Sequence, residues 1–337
     1  MSKVTTGAEI ASRSRGAVPL GRQIPLRKGH GSLSCFASHP GLCESREMRK
    51  TFGSILVTTL IGVGLVTAVP QAMSAPTVGA LSQPRILSAA WGLNNSASCP
   101  TGETGLDNIP VTLDWFIQVA SVNSDIFTFT RSDGTKVHPT CSLMFPPNES
   151  NERQTVNLIG DFGDPAGARP VRITIRAGLR GKPIGTRVWR NIDAGLTHTV
   201  TQLEAGPFIT DAWKLTPQQL VGDANQCPTG TTSIRVVWSN GMAAYPTGAE
   251  VGPAVTNSYR AIFTKRSGKL IAVAPVAIAD LNDHSSPAMA DNMHDLCLAT
   301  VPTHAWLTAI RVGPELLQDP NGDPNLTQRF IVRRLGT

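Results

Sequence analysis

The chain has 337 residues, 41% of them hydrophobic, with 30 Lys and Arg against 24 Asp and Glu and a formal net charge of +6. That excess is local: nine of the basic and three of the acidic residues precede Pro76, so the remaining 21 and 21 cancel. A nucleic-acid partner would need clustered surplus Lys and Arg, which the neutral remainder does not supply.

Residues 1–47 carry Arg13, Arg15, Arg22, Arg27 and Lys28 among Gly, Ser and Pro, with no sustained apolar period. Such a stretch has no basis for a packed core, so it reads as a non-native or disordered extension, with translation expected to begin at Met48. Residues 48–75 have the three parts of a secretory signal peptide. Arg49 and Lys50 form the charged start, Phe52 to Val69 lacks any ionisable residue, and Ala72-Met73-Ser74 supplies small residues for cleavage after Ser74. The apolar run is diluted by Gly, Ser and Thr and ends at Pro70 without a basic stop-transfer cluster, so cleavage is expected rather than anchoring. The mature product is therefore predicted to be exported, secreted or periplasmic, with no integral membrane segment once the leader is gone.

After a linker at 76–83, landmarks recur in the same order. Ile86 to Trp91 is echoed by Phe208 to Trp213, and Cys99-Pro100-Thr101-Gly102 by Cys227-Pro228-Thr229-Gly230. Val111 to Trp115 is echoed by Ile234 to Trp238, and Ile126-Phe127-Thr128 by Ile262-Phe263-Thr264. A second Cys follows in each half, Cys141 and Cys297, and then a strand-like run, Thr155 to Ile159 and Leu307 to Val312. Matched order over so many landmarks predicts an internal duplication with domains at 84–205 and 206–337.

Each half reads as all-β. Segments such as Asp125 to Thr130, Val171 to Arg176 and Arg329 to Arg333 cluster β-branched and aromatic residues between turns rich in Ser, Asn, Asp and Gly. Short strands with turns about every 8–12 residues predict two tandem β-sandwiches. The Cys…Trp…Cys order in each half resembles immunoglobulin-type domains, where a core Trp packs near a disulfide. That resemblance implies architecture and assigns no function.

Cys35 and Cys43 precede the leader, and Cys99, Cys141, Cys227 and Cys297 remain. An even number in an exported chain implies disulfides, with three connectivities open. In the duplicated frame, Cys99–Cys141 and Cys227–Cys297 would each staple one repeat, with Trp115 and Trp238 as core aromatics.

Two stretches could carry chemistry. Residues 280–297, read as a long inserted loop, hold Asp280, Asp283, His284, Asp291, His294 and Asp295, of which Asp283, His284, Asp291 and His294 are candidate zinc or manganese ligands. Asp319, Asn321 and Asp323 place oxygen donors at alternate positions, as calcium loops do, although Gly322 and Phe330 depart from the EF-hand pattern. No Gly-x-Ser-x-Gly elbow, phosphate loop or zinc-type Cys/His spacing is present. Trp189 and Trp306 lie outside the repeat and are the tryptophans to look for at the surface. The sequence thus predicts a non-enzymatic binding or structural module without a cofactor, its partner a protein or cell-surface ligand. The alternative is a secreted metal-assisted hydrolase using the 280–295 loop, or calcium-dependent adhesion through 319–325.

Overall fold

A computed structural model describes residues 83–94, 99–144, 151–216, 219, 227–249, 251, 253–279 and 292–332. The extension at 1–47 and the leader at 48–75 lie outside the described residues. So do Asp280, Asp283, His284 and Asp291. All described residues belong to one compact unit spanning 72–337.

The first half contributes eleven strands: β1 (Ile86–Ala89), β2 (Asp107–Leu113), β3 (Trp115–Ile117), β4 (Phe127–Arg131), β5 (Lys136–Val137), β6 (Cys141–Leu143), β7 (Thr155–Gly160), β8 (Pro170–Ile175), β9 (Arg180–Pro183), β10 (Arg190–Asn191) and β11 (Leu196–Thr199). The second contributes β12 (Ile209–Lys214), β13 (Thr232–Trp238), β14 (Ala243–Ala244), β15 (Tyr259–Lys265), β16 (Leu270–Val273), β17 (Ala277–Ala279), β18 (Met293–Leu298), β19 (Ala305–Val312), β20 (Leu317–Gln318) and β21 (Gln328–Ile331). Apart from short 3-10 turns the described chain is all-β, and every ladder between these strands is antiparallel.

Strand order is shared. The first half pairs β1-β2-β7-β6 and β11-β8-β4-β5, and the second pairs β12-β13-β18-β17 and β21-β19-β15-β16. Even an irregularity recurs, since the β1–β2 ladder shifts between Ile86 and Ser88 and the β12–β13 ladder between Ile209 and Asp211. The first half adds a β10-β9-β3 sheet and the second a β14-β20 pair.

Within each half the two large sheets close on one core. Alternation aims Phe127 and Phe129 of β4 and Ile173 and Ile175 of β8 at Ile109, Val111, Leu113, Val156 and Leu158 of the facing sheet. In the second half Ile234, Val236 and Trp238 meet Tyr259, Ala261, Phe263, Ile310 and Val312. β7, β13 and β18 are buried along nearly their whole length, on both faces. Their second faces turn toward the other half. A small cluster joins Phe116 and Ile184 to Trp213, Leu215, Val237 and Met293, and the Asn292 side-chain amide donates to Thr155 Oγ1 at 3.1 Å.

The ladders realign several landmarks. Ile86 pairs with Leu113 and Ile209 with Trp238, so Leu113 and Trp238 occupy matching places while Trp115 lies two residues further, in β3. Ala89 and Ala212 likewise match, which puts Trp213 one residue out of step with Trp91. A slip of one residue reverses the face. Trp91 therefore sits in the core of its half with its indole N–H on Asp107, whereas Trp213 faces the junction. The strand matching Thr155–Gly160 is Met293–Leu298, not the run Leu307 to Val312.

Candidate functional site

The disulfides join Cys99 to Cys141 and Cys227 to Cys297. They are not equivalent. Cys141 lies on edge strand β6 opposite Ile159, while Cys297 lies on the adjacent interior strand β18 opposite Ala277. No thiol of these four is free to act as a nucleophile or ligand.

Residues 293–298 form buried strand β18 where a loop was expected. Its alternation sends His294 and Leu296 into the core of the second half and Met293 and Asp295 toward the junction. His294 Nδ1 lies 2.8 Å from Tyr259 Oη, which accepts the Trp238 indole N–H at 2.9 Å. Nδ1 is the one acceptor beside the buried Tyr259 O–H among the described residues, so the hydroxyl donates to it and leaves the proton on Nε2. Burial drives the His294 pKa down to about 3 and raises that of Tyr259, so neither charges near neutral pH. The imidazole is 1% exposed and its Nδ1 lone pair is engaged by Tyr259.

Asp295 faces the other way. Arg235, its cross-strand partner, donates Nε–H to Oδ1 at 2.8 Å and Nη2–H to Oδ2 at 2.9 Å. The same guanidinium lies 3.1 Å from Glu152 Oε1 and donates through Nη1 to the Asn151 carbonyl at 2.8 Å. Arg235, Glu152 and Asp295 are each at most 1% exposed. Removing one member would strand the others in a low-dielectric interior, so the cluster is a clamp between the halves. Sequence reading passed over it. The only signal was an Arg inside an otherwise apolar strand, Ser233-Ile234-Arg235-Val236-Val237.

Asp319, Asn321 and Asp323 share one tight turn, in which the Gly322 N–H donates to the Asp319 carbonyl at 3.0 Å. Asp319 Oδ1 accepts the backbone N–H groups of Asn321 and Asp323 at 3.0 and 3.1 Å, and Oδ2 accepts from Asn240 at 3.2 Å. Burial pushes its carboxyl up to about 6 despite those bonds. Asn321 instead reaches into the first half, donating to the Trp91 carbonyl at 3.2 Å and accepting from Leu93 N–H at 3.3 Å. Beside it the link between halves is tight, since a Cβ on Gly206 would lie 2.7 Å from the Pro324 carbonyl oxygen. Among the described residues no three His, Cys, Asp or Glu side chains gather into a metal-binding group.

Of the two non-repeated tryptophans, Trp306 is 40% exposed and lines an open concavity with Arg266, His304 and Ala305. Trp189 is half-buried, with the Lys182 ammonium 4.9 Å from its ring centroid. No protein-family model and no curated protein matches the chain.

Proposed function

We propose that the chain is an exported, non-enzymatic binding or structural module of two immunoglobulin-like domains, 84–205 and 206–337, duplicated in tandem behind a cleaved leader. One observation carries this reading: among the described residues, His294, Asp295 and Asp319, which looked chemical in the sequence, are spent on holding the fold together. His294 is locked to Tyr259, Asp295 to Arg235, and Asp319 to its own turn.

The duplication is supported by matching strand order and by the shared ladder shift. Lettered along the chain, the large sheets of the first half read A-B-E-D and G-F-C-C′, an immunoglobulin-type arrangement. The disulfides depart from that pattern, because each ties the A–B connection to its own sheet instead of bridging B to F. Two disulfides suit an oxidising compartment.

Two measurements test the reading. N-terminal sequencing of the exported protein is expected to begin at Ala75, and a start within 1–47 would remove the leader. Elemental analysis after dialysis is expected to find no stoichiometric metal. One zinc or manganese per chain, lost on His284→Ala, would replace the module with the hydrolase alternative.

A further inference from the structure

One surface is built in a way that packing does not explain. In the sheet ordered β16-β15-β19-β21, Tyr259, Ala261 and Phe263 point inward, which turns Arg260, Ile262 and Thr264 out. Arg260 pairs with Arg311, and Arg311 pairs with Arg329. Three arginines therefore share one row, on one face, across three neighbouring strands. Like charges set directly opposite destabilise a sheet.

Nothing in the described residues offsets them. Arg260 donates only to the carbonyls of Asn257 and Tyr259, and Arg311 and Arg329 are exposed with no ion pair among the described residues. The four strands contain no Asp or Glu, while Lys265, Arg266 and Lys269 add cations at the β15–β16 turn.

Further along the same face the side chains change character. Ile331 stands out at 60% exposure beside Ala309 and Ile262, and the next row sets Trp306 and Leu270 on either side of Thr264. Four residues of β15 separate the arginine row from the Trp306 row, about 13 Å at strand rise.

We propose that this face docks a linear acidic polysaccharide, its carboxylates or sulfates on the arginine row and a sugar ring on Trp306. The inference rests on the binding-module reading and names its ligand class. Guanidinium forks pair bidentately with such anions. Set about 4.8 Å apart by strand spacing, they form a line instead of a nest, which suits a polymer of repeated charge over a compact ion. The apolar side chains are spread singly over the strands, enough for the C–H face of a sugar but too dispersed for the dry centre of a protein interface.

The test is calorimetric titration of the exported protein with polygalacturonate and with heparin. Neutral dextran, a single-stranded oligonucleotide and phosphatidylglycerol vesicles serve as the other arms. Binding to either acidic glycan and not to dextran is expected, the tighter of the two identifying carboxylate or sulfate. Arg311→Glu should weaken it roughly tenfold, as loss and reversal of an exposed ion pair would. Arg311→Gln should weaken it less, and Trp306→Ala by several-fold, with circular dichroism unchanged. Thr199→Ala, on the corresponding sheet of the first half, should have no effect. The inference is overturned if neither glycan binds, if Arg311→Glu binds as wild type, or if oligonucleotide or vesicles bind as tightly with Trp306→Ala neutral. Absence of glycan binding leaves the module reading intact. Shortening of the glycan during incubation would overturn that reading and leave the docking face standing.

Discussion

His294 and Arg235 show what a single buried side chain imposes. Unfolded, His294 titrates near its ordinary 6.5; folded, near 3. Below pH 6.5 the unfolded chain takes up a proton that the native core refuses, so stability falls as pH drops through that window. The loss at pH 5 relative to pH 8 should be on the order of 2 kcal/mol, read from urea midpoints, and His294→Gln should flatten it. An equally steep curve in the Gln variant would place the effect elsewhere. Asp319 opposes this trend, because its carboxyl is raised from 3.8 to about 6 and the native state binds the extra proton between those values. Asp319→Asn should therefore steepen the acid loss. At Arg235, truncation to Ala should cost roughly 3–5 kcal/mol, since Asp295 and Glu152 would stay buried without the guanidinium between them. A cost below 1 kcal/mol by chemical denaturation would mean that water reaches the clamp.

At the level of strands, the disulfides separate two accounts of stability. Closing loops of 42 and 70 residues contributes about 4 kcal/mol each in the chain-entropy model, differing by roughly 0.5 kcal/mol. The ladders predict a larger gap. Losing Cys99–Cys141 frees edge strand β6, whereas losing Cys227–Cys297 loosens β18, which carries both His294 and Asp295. The Cys227→Ala/Cys297→Ala variant should thus be clearly the less stable in paired denaturation curves, and equal losses would favour loop entropy alone. The same strands mark how much the sequence disclosed. Turn chemistry and β-branched clusters located the strands, and repeated landmarks pointed to the second half. Register stayed hidden because β7, β13 and β18 are covered on both faces, which erases the apolar–polar alternation that register is read from. Matching Trp91 to Trp213 by identity therefore missed by one residue, and the density of His and Asp before Cys297 looked like a ligand loop when two of them belong to a strand. Arg260, Arg311 and Arg329 lie 69 residues apart end to end, and only the pairing of β15, β19 and β21 reveals them as one row.

Across the whole molecule, the junction makes the halves interdependent. The clamp at Arg235, the Asn292–Thr155 and Asn321–Trp91 hydrogen bonds and the cluster around Trp213 all cross it. Calorimetry of the intact protein should give one transition with equal calorimetric and van't Hoff enthalpies. Arg235→Leu together with Asn321→Ala should split it, and two resolved transitions in the wild type would contradict a coupled pair. A chain cut to 206–337 would bare Trp213, Val237 and Met293 along with Arg235, and is expected to aggregate.

The contacts between the halves described above come from β1-β2-β7-β6, β12-β13-β18-β17 and the segments beside them, and the other two large sheets supply none of these. The sheet of the first half presents Thr128, Thr174 and Thr197 in one cross-strand row and Lys136, Thr130, Arg172 and Thr199 in the next, and that of the second half presents the three arginines. Cations thus stand on both of these sheets, singly among threonines on the first and in an unbroken row on the second, and an anionic chain long enough to reach both would gain through effective concentration, not through any change of shape.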